Sequence, residues 1–432
     1  MSRVAVVGAG YVGLTTGACL SHLGHSVVCA DIDAERVARL TKGEVPIMED
    51  GLPELVAEGI ESQRLRFVVG AAKAAASAEF VFLCVPTPQG EDGAADLSFV
   101  EDVAREIAPV LRSGTVIVNK STMPVGSTRL VQRVLGEAGA TLEQIGVASN
   151  PEFLREGTSV RDFLHPSRVV IGCDDPPIAV RVSELYKSLD APILITDPAS
   201  AEMIKYATNA FLATKISFVN AIASICEAVD ADVREVAMGM GYDTRIGSEF
   251  LHPGPGYGGS CFPKDTAALL HMADVAGYDF SLLRGTVEVN RRQHERMIAK
   301  ARRLVGGSLA GALIGVWGLA FKANTDDLRD SPAIYIVRRL QEEGAVVRAF
   351  DPAADESAAA VLEGVELAAD PFEAVAGARL LVVATEWDQF RWLDFARVHD
   401  AMAEPAVLDT RNLLDSSALR RLGFSYDGVG RS

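Results

Sequence analysis

Six cysteines in 432 residues, Cys19, Cys29, Cys84, Cys173, Cys226 and Cys261, are scattered without one Cys-x-x-Cys pair. That spacing gives neither a zinc site nor a disulfide framework, so no metal is expected and a reducing cytoplasm fits best. Positive charge is also scarce: 41 Lys and Arg stand against 58 Asp and Glu, for a formal net charge of −17 and a sequence pI near 4.9. Nucleic acids are bound by clustered cations that release counterions, so no nucleic-acid partner is expected and any anionic ligand must be held locally. Unbroken apolar runs are missing as well. The stretch from Val4 to Leu23 is interrupted by Gly8, Gly10, Gly13 and Gly17, which argues against a secretory signal, and no other segment reads as the roughly 20 apolar residues of a membrane span. With 49% hydrophobic and 23% charged residues the composition is that of a folded globular protein, long enough for two or three domains.

What is present is a repeated pattern of short buried strands. Arg3–Gly8 and Ser26–Asp31 read as strands either side of a helix, and Phe80–Val85, Thr115–Val118 and Arg168–Ile171 continue the series, as a doubly wound parallel sheet requires. From Ser200 to Val229 there is no Gly or Pro, which predicts one long helix with Ser200 placed to cap it. Helical sequence continues towards residue 305. Ala312–Trp317, Ala345–Asp351, Arg379–Thr385 and Ala406–Asp409 then echo the first strands in order. The prediction is an α/β chain: two Rossmann-like, doubly wound parallel-sheet domains, residues 1–196 and 306–432, joined by a long central helix and a helical middle domain, residues 197–305. A long apolar helix between domains is a natural subunit interface, so a homodimer is expected.

The first strand ends in Gly8-Ala-Gly10-Tyr11-Val12-Gly13, a glycine fingerprint in the strand-to-helix context that gives it meaning. Gly8 allows the tight turn, Gly10 the approach of a pyrophosphate, and Gly13 close packing of helix on strand. Asp31 ends the second strand, where a carboxylate can bind a ribose diol and repel a 2′-phosphate; NAD is therefore expected over NADP, with Arg36 partly offsetting that charge. Cys261, a small buried hydrophobe by default, lies in Gly256-Tyr257-Gly258-Gly-Ser-Cys261-Phe-Pro-Lys264-Asp265. The glycines let backbone approach a ligand, and Lys264 and Asp265 bring a cation and a base beside the thiol. A thiol near a hydride acceptor can hold an aldehyde covalently while a second hydride leaves. Lys205 and Asn209 share a face of the long helix, with Asn220 nearly on it, and a cation beside an amide could stabilise an oxyanion.

Taken with Val85-Pro-Thr-Pro88, Lys120-Ser-Thr122, Asn150-Pro-Glu152-Phe153-Leu154-Arg-Glu156, Gly318-Leu-Ala-Phe321-Lys322 and Asp326-Asp-x-Arg329, these motifs resemble the nucleotide-sugar dehydrogenases, the UDP-glucose/GDP-mannose dehydrogenase family, over nearly the whole chain. Phe262 after the cysteine is similar to the UDP-glucose branch; the GDP-mannose branch usually has Leu there. The resemblance implies oxidation of UDP-glucose to UDP-glucuronate with two NAD. Cys261 would be the nucleophile, Lys205 and Asn209 the oxyanion stabilisers, Asp265 and Thr122 the groups holding a water, and Glu152 the helper in thioester hydrolysis. It also implies that Val85, Thr122 and Glu152 line the nicotinamide, that Lys264 and Arg329 serve the cofactor, and that Phe153, Leu154, Phe250, Tyr257, Gly258, Phe321, Lys322 and Arg411 bind the sugar nucleotide, with Arg245 reaching in from a partner subunit. Residues 306–432 would then be the UDP-sugar domain. The alternatives are the same chemistry on UDP-N-acetylmannosamine or GDP-mannose, and a nucleotide-binding regulator without turnover. Ala221 and Met123 depart from the usual family residues and bear on fine tuning only.

Overall fold

The computed structural model describes residues 1–90, 92–353 and 356–431. They form two compact units, Met1–Thr208 with Ala267–Val275, and Asn209–Thr266 with Ala276–Ser432. In the first, eight strands make one sheet: β1 (Arg3–Val7), β2 (Ser26–Asp31), β3 (Leu65–Val69), β4 (Phe80–Leu83), β5 (Val116–Asn119), β6 (Gly146–Ser149), β7 (Val169–Gly172) and β8 (Ile193–Thr196). Their order is β3-β2-β1-β4-β5-β6-β7-β8, with Val4 of β1 opposite Val27 on one side and Phe80 on the other. The first six run parallel in the 3-2-1-4-5-6 order of a dinucleotide fold. The pair β7–β8 is reversed, because β6 meets β7 antiparallel at Ser149 and Gly172.

Helices cover both faces, which is why these strands are apolar without alternation. Alternate residues of a strand still go to opposite layers. Val4, Val6, Cys29 and Phe82 pack in one cluster, and Ala5, Val7, Val28, Val81 and Leu83 in the other, as a side-chain period of two dictates.

The second unit repeats the design in six parallel strands: β9 (Leu313–Trp317), β10 (Val346–Phe350), β11 (Glu366–Leu367), β12 (Leu380–Val383), β13 (Ala406–Asp409) and β14 (Ser425–Asp427), ordered β11-β10-β9-β12-β13-β14. Trp317 anchors its core, fully buried against Phe390 with ring centroids 5.2 Å apart. Its indole N–H donates to the Pro371 carbonyl at 2.9 Å.

The central helix runs Pro198–Val229, about 48 Å at 1.5 Å per residue. Its cap is Asp197, one turn earlier than the serine the sequence suggests: the Asp197 carboxylate accepts from the Ser200 backbone N–H at 2.9 Å and from its hydroxyl at 2.6 Å. Among the described residues this one helix is long and apolar enough to cross a membrane by length and composition, a property the sequence reading did not assign to any segment. Its polar side chains Glu202, Lys205, Asn209 and Asn220 are nonetheless buried in protein. The helices Phe262–Val275 and Ser281–Leu304 follow.

Candidate active site

In a parallel sheet the loops after each strand gather at one edge. In the first unit this edge carries the glycine turn after β1, Asp31 at the end of β2, Val85 after β4, Thr122 after β5 and Glu152 after β6. The turn is tightly built. Gly8 sits at φ +96°, and a Cβ on Gly13 would lie 1.7 Å from the Gly8 carbonyl oxygen, whereas one on Gly10 would meet nothing within 4 Å. Helix Tyr11–His22 therefore begins with an open surface before its first N–H groups and without a side-chain cap on Gly10, a cradle that fits a pyrophosphate. Asp31 is buried at the rim. Its carboxylate accepts from the Ala9 N–H at 2.8 Å and pairs with Arg36 at 3.2 Å, so the residues present fit an adenosine ribose beside a fixed charge.

Beyond that turn lies a buried charge cluster. Glu152 accepts from the Lys205 ammonium at 2.9 Å and from the Leu154 N–H at 2.5 Å. Burial alone would raise its pKa, but the Lys205 charge and these hydrogen bonds outweigh burial and hold it below the ordinary carboxylate value. Phe153 lies under two cations, the Arg168 guanidinium at 3.6 Å from the ring centroid and the Lys205 ammonium at 5.4 Å. The loops after β4 and β5 are tied together by the Thr87 hydroxyl on the Thr122 carbonyl (2.9 Å) and the Ser121 hydroxyl on the Val85 carbonyl (2.7 Å).

In the second unit Cys261 stands immediately before the helix Phe262–Val275, half-buried, with its sulfur 3.6 Å from the Ser260 hydroxyl. A helix N-terminus favours negative charge on that sulfur. One turn on, Asp265 is buried, and its two oxygens accept from the Asn209 amide at 2.5 Å and the Lys264 ammonium at 2.7 Å. Asn209 of the central helix gives its amide to Asp265 within the second unit, and Lys205 of the same helix gives its ammonium to Glu152 within the first.

The thiol loop packs tightly on the turn after β9. A Cβ on Gly258 would lie 2.1 Å from the Asp330 carbonyl oxygen and one on Gly259 2.7 Å from the Phe321 ring. Arg411, after β13, donates to the carbonyls of Phe321 (2.6 Å) and Ala384 (2.9 Å) and pairs with Glu386 at 3.0 Å. Lys322 lies over the Phe321 ring at 5.5 Å. Tyr257 and Phe250 both pack against Phe262, next to the thiol. Arg245 and Arg329 are exposed and fork onto Asp243 and Asp327. Asp351, the counterpart of Asp31, has no such open role: its carboxylate accepts from Leu319, Ala320 and the Trp387 indole at 2.6, 3.0 and 3.1 Å.

Three family profiles match the chain: the UDP-glucose/GDP-mannose dehydrogenase family NAD binding domain over residues 2–190, its central domain over 199–292 and its UDP binding domain over 315–416. The chain belongs to this family. It is 46% identical to the UDP-glucose 6-dehydrogenase of Rhizobium meliloti (strain 1021), with 99% of both chains covered, and 43% identical to UDP-glucose 6-dehydrogenase TuaD of Bacillus subtilis (strain 168), over 100% of this chain and 94% of that one. Among solved structures it is similar to a UDP-glucose dehydrogenase from Pyrobaculum islandicum, with a TM-score of 0.93, 37% identity, and 100% and 98% of the two chains covered.

Three further polar residues make buried hydrogen bonds: Lys120 and Asn150, which the sequence motifs include without a role, and Glu202, which they leave out. Lys120 is buried at the end of β5, donating to Asn150 Oδ1 at 3.1 Å, and the Tyr186 hydroxyl donates to the same oxygen at 2.6 Å. Burial pushes its ammonium down to about 8, against the pull of Glu152 and Cys84, with Lys205 adding to the push. Glu202, one turn before Lys205, accepts from the N–H groups of Gly126 (2.7 Å) and Thr128 (2.9 Å) and fastens the Thr122 loop to the central helix. A lysine directly after a buried strand, and a glutamate at i−3 from the candidate Lys205, were the available signals.

Proposed function

We propose that this chain catalyses the NAD-dependent, twofold oxidation of UDP-glucose to UDP-glucuronate, UDP-glucose, two NAD and water giving UDP-glucuronate, two NADH and protons. The reading rests on the Cys261 thiol at a helix N-terminus beside the buried Asp265–Asn209 pair, in a chain alike over its full length to proteins named for this activity. NAD, when bound, accepts the hydride at each oxidation. Gly8, Gly10, Tyr11, Val12, Gly13, Asp31 and Arg36 are assigned to holding it, with Val85, Thr122, Glu152, Lys264 and Arg329. Asp265, with its carboxylate oriented by Asn209 and Lys264, and Thr122 hold the water that takes the proton of the sugar alcohol.

The thiolate of Cys261 then adds to the aldehyde carbon, forming a C–S bond and an alkoxide that Lys205 and Asn209 stabilise. After the second oxidation the sugar carbon is a thioester. Glu152, kept ionised by Lys205, takes a proton from the attacking water, the C–S bond breaks, and the thiolate leaves. Phe153, Leu154, Phe250, Tyr257, Gly258, Phe321, Lys322 and Arg411 are assigned to the sugar nucleotide. The division into 1–196, 197–305 and 306–432 is supported by where the three family profiles fall.

A cytoplasmic homodimer completes the reading, with Arg245 serving the partner's site. Phe211, Phe218 and Ile225, seven residues apart on the central helix, are all exposed in the single chain and suit a second copy; Phe218→Glu should give monomers in sedimentation. Incubating the protein with NAD and a panel of UDP-glucose, UDP-N-acetylmannosamine and GDP-mannose, and counting NADH per sugar consumed, tests the activity. Two NADH per UDP-glucose is expected; preference for another sugar, or no turnover, would sink it.

A further inference from the structure

Between the exposed Arg245 and the thiol, the segment Pro253–Tyr257 is buried without being helix or strand. A buried irregular segment must have its backbone groups satisfied by something. Here side-chain amides from two helices do so. Asn220 of the central helix accepts from the Gly254 N–H at 2.8 Å, and Gln293 of helix Ser281–Leu304 donates to the Gly254 carbonyl at 2.7 Å. Asn290, on the same helix, accepts from the Tyr257 N–H at 2.8 Å and donates to the Tyr257 carbonyl at 3.0 Å. Both backbone groups of Gly254 and of Tyr257 are thus held as a neighbouring strand would hold them. All three amides are buried.

Between those two residues Gly256 bends at φ +127°, where a Cβ would lie 2.5 Å from His294 Nε2. His294 is half-buried, with its Nε2 shut off from solvent, and desolvation pushes it down to about 4, so the imidazole behind the segment is neutral at physiological pH. An amide donates and accepts at once and carries no charge, so this hold neither titrates nor adds a buried charge beside a diphosphate.

We propose that Asn220, Asn290 and Gln293 are positioning residues that fix the backbone of Gly254–Tyr257 as a preformed floor for the UDP-sugar and set the approach to Cys261, four residues beyond Tyr257. They act through the segment and not on the reacting atoms. The inference rests on the functional reading above, and it gives Asn220 a role other than oxyanion stabilisation.

The test uses full-length protein carrying Asn290→Leu, Asn290→Asp, Gln293→Met or Asn220→Leu. The readouts are KM for UDP-glucose and for NAD, the calorimetric Kd of UDP alone, the rate of Cys261 alkylation by iodoacetamide and the urea midpoint. Loss of one buried hydrogen bond to the floor should weaken UDP about tenfold and raise KM for UDP-glucose alike. KM for NAD should stay within about twofold, alkylation should quicken, and Asn290→Asp, which keeps the acceptor but sets a carboxylate oxygen against the Tyr257 carbonyl and adds charge beside a diphosphate, should weaken UDP at least as much as Asn290→Leu. Unchanged UDP affinity in soluble variants overturns the proposal. So does a parallel loss of UDP and NAD binding together with the urea midpoint, which marks a merely structural role. Should Asn290→Leu not fold, Gln293→Met and Asn290→Asp carry the same comparison. If wild type binds UDP but leaves UDP-glucose unoxidised, the functional reading fails while the UDP comparison still decides the clamp.

Discussion

Gly10 and Gly13 stand in one turn under opposite constraints. A methyl on Gly13 would lie 1.7 Å from a carbonyl oxygen of the same loop, while around Gly10 the space is open. Gly13→Ala should therefore unseat helix Tyr11–His22 and lower the urea midpoint, by several kcal/mol if the clash is relieved only by backbone movement. Gly10→Ala should fold with the wild-type midpoint yet bind NAD at least about tenfold more weakly, since the methyl occupies the surface a pyrophosphate needs. Equal effects of the two changes on stability would contradict this division. Cys261→Ser keeps the shape but loses the good nucleophile and leaving group. Acid formation should fall by about a thousandfold or more, with NADH per sugar consumed dropping from two towards one as aldehyde escapes. An undiminished rate of acid production would refute covalent catalysis.

At the scale of elements, one buried lysine ties three of them together. Lys300 of helix Ser281–Leu304 reaches Glu227 of the central helix and Asp427 of β14, each at 2.9 Å, and Glu227 also accepts from the Gly430 N–H at 2.7 Å. Arg296 and Arg303 sit on the same two carboxylates. Lys300→Met would leave two half-paired acids in the interior, and should cost about 3 kcal/mol in urea unfolding; a change below about 0.5 kcal/mol would mean the arginines suffice. None of this was legible in the sequence, because the partners are 73 and 127 residues away along the chain. The strands were legible in proportion to the length and apolar bulk of their runs, not to burial alone: β6 is fully buried yet small in side chain, and β10 is half-exposed yet read. β1, β2, β4 and β5, and their counterparts β9, β10, β12 and β13, announce themselves as short apolar runs. β3, β6, β8, β11 and β14 do not, since β6 is Gly-Val-Ala-Ser, β8 is an exposed edge and β11 has two residues. The reversal of β7 leaves no trace in its composition. Asn220 shows the limit of reading faces alone. It lies near the face of Lys205 and Asn209, but eleven residues from Asn209 is about 16 Å along the axis, and there its partner is Gly254.

For the whole molecule, the ionisable groups buried in its core set the alkaline limit. Burial raises the thiols of Cys19, Cys29, Cys84 and Cys173, that of Cys84 to about 12, and raises the phenols of Tyr11, Tyr186 and Tyr426. In the unfolded chain a thiol ionises near 8.5 and a phenol near 10. From about pH 8.5 upward the unfolded state therefore sheds protons that the native state keeps, and stability falls by about 1.4 kcal/mol per pH unit for each fully titrating group. Lys120 works the other way. Its native pKa of about 8 lies below the ordinary lysine value near 10.4, so between those limits the unfolded state holds a proton that the native state has lost, and stability rises. Four thiols outweigh one lysine, and the phenols join them above pH 10. Urea midpoints should decline steadily from pH 8.5 to 10.5. Cys29→Ala, which removes one buried thiol, should make that decline shallower, and Lys120→Met, which removes the opposing group, should make it steeper. A midpoint that is flat or rising over this range in the wild-type protein would show that the buried thiols ionise as readily in the native state as in the unfolded chain.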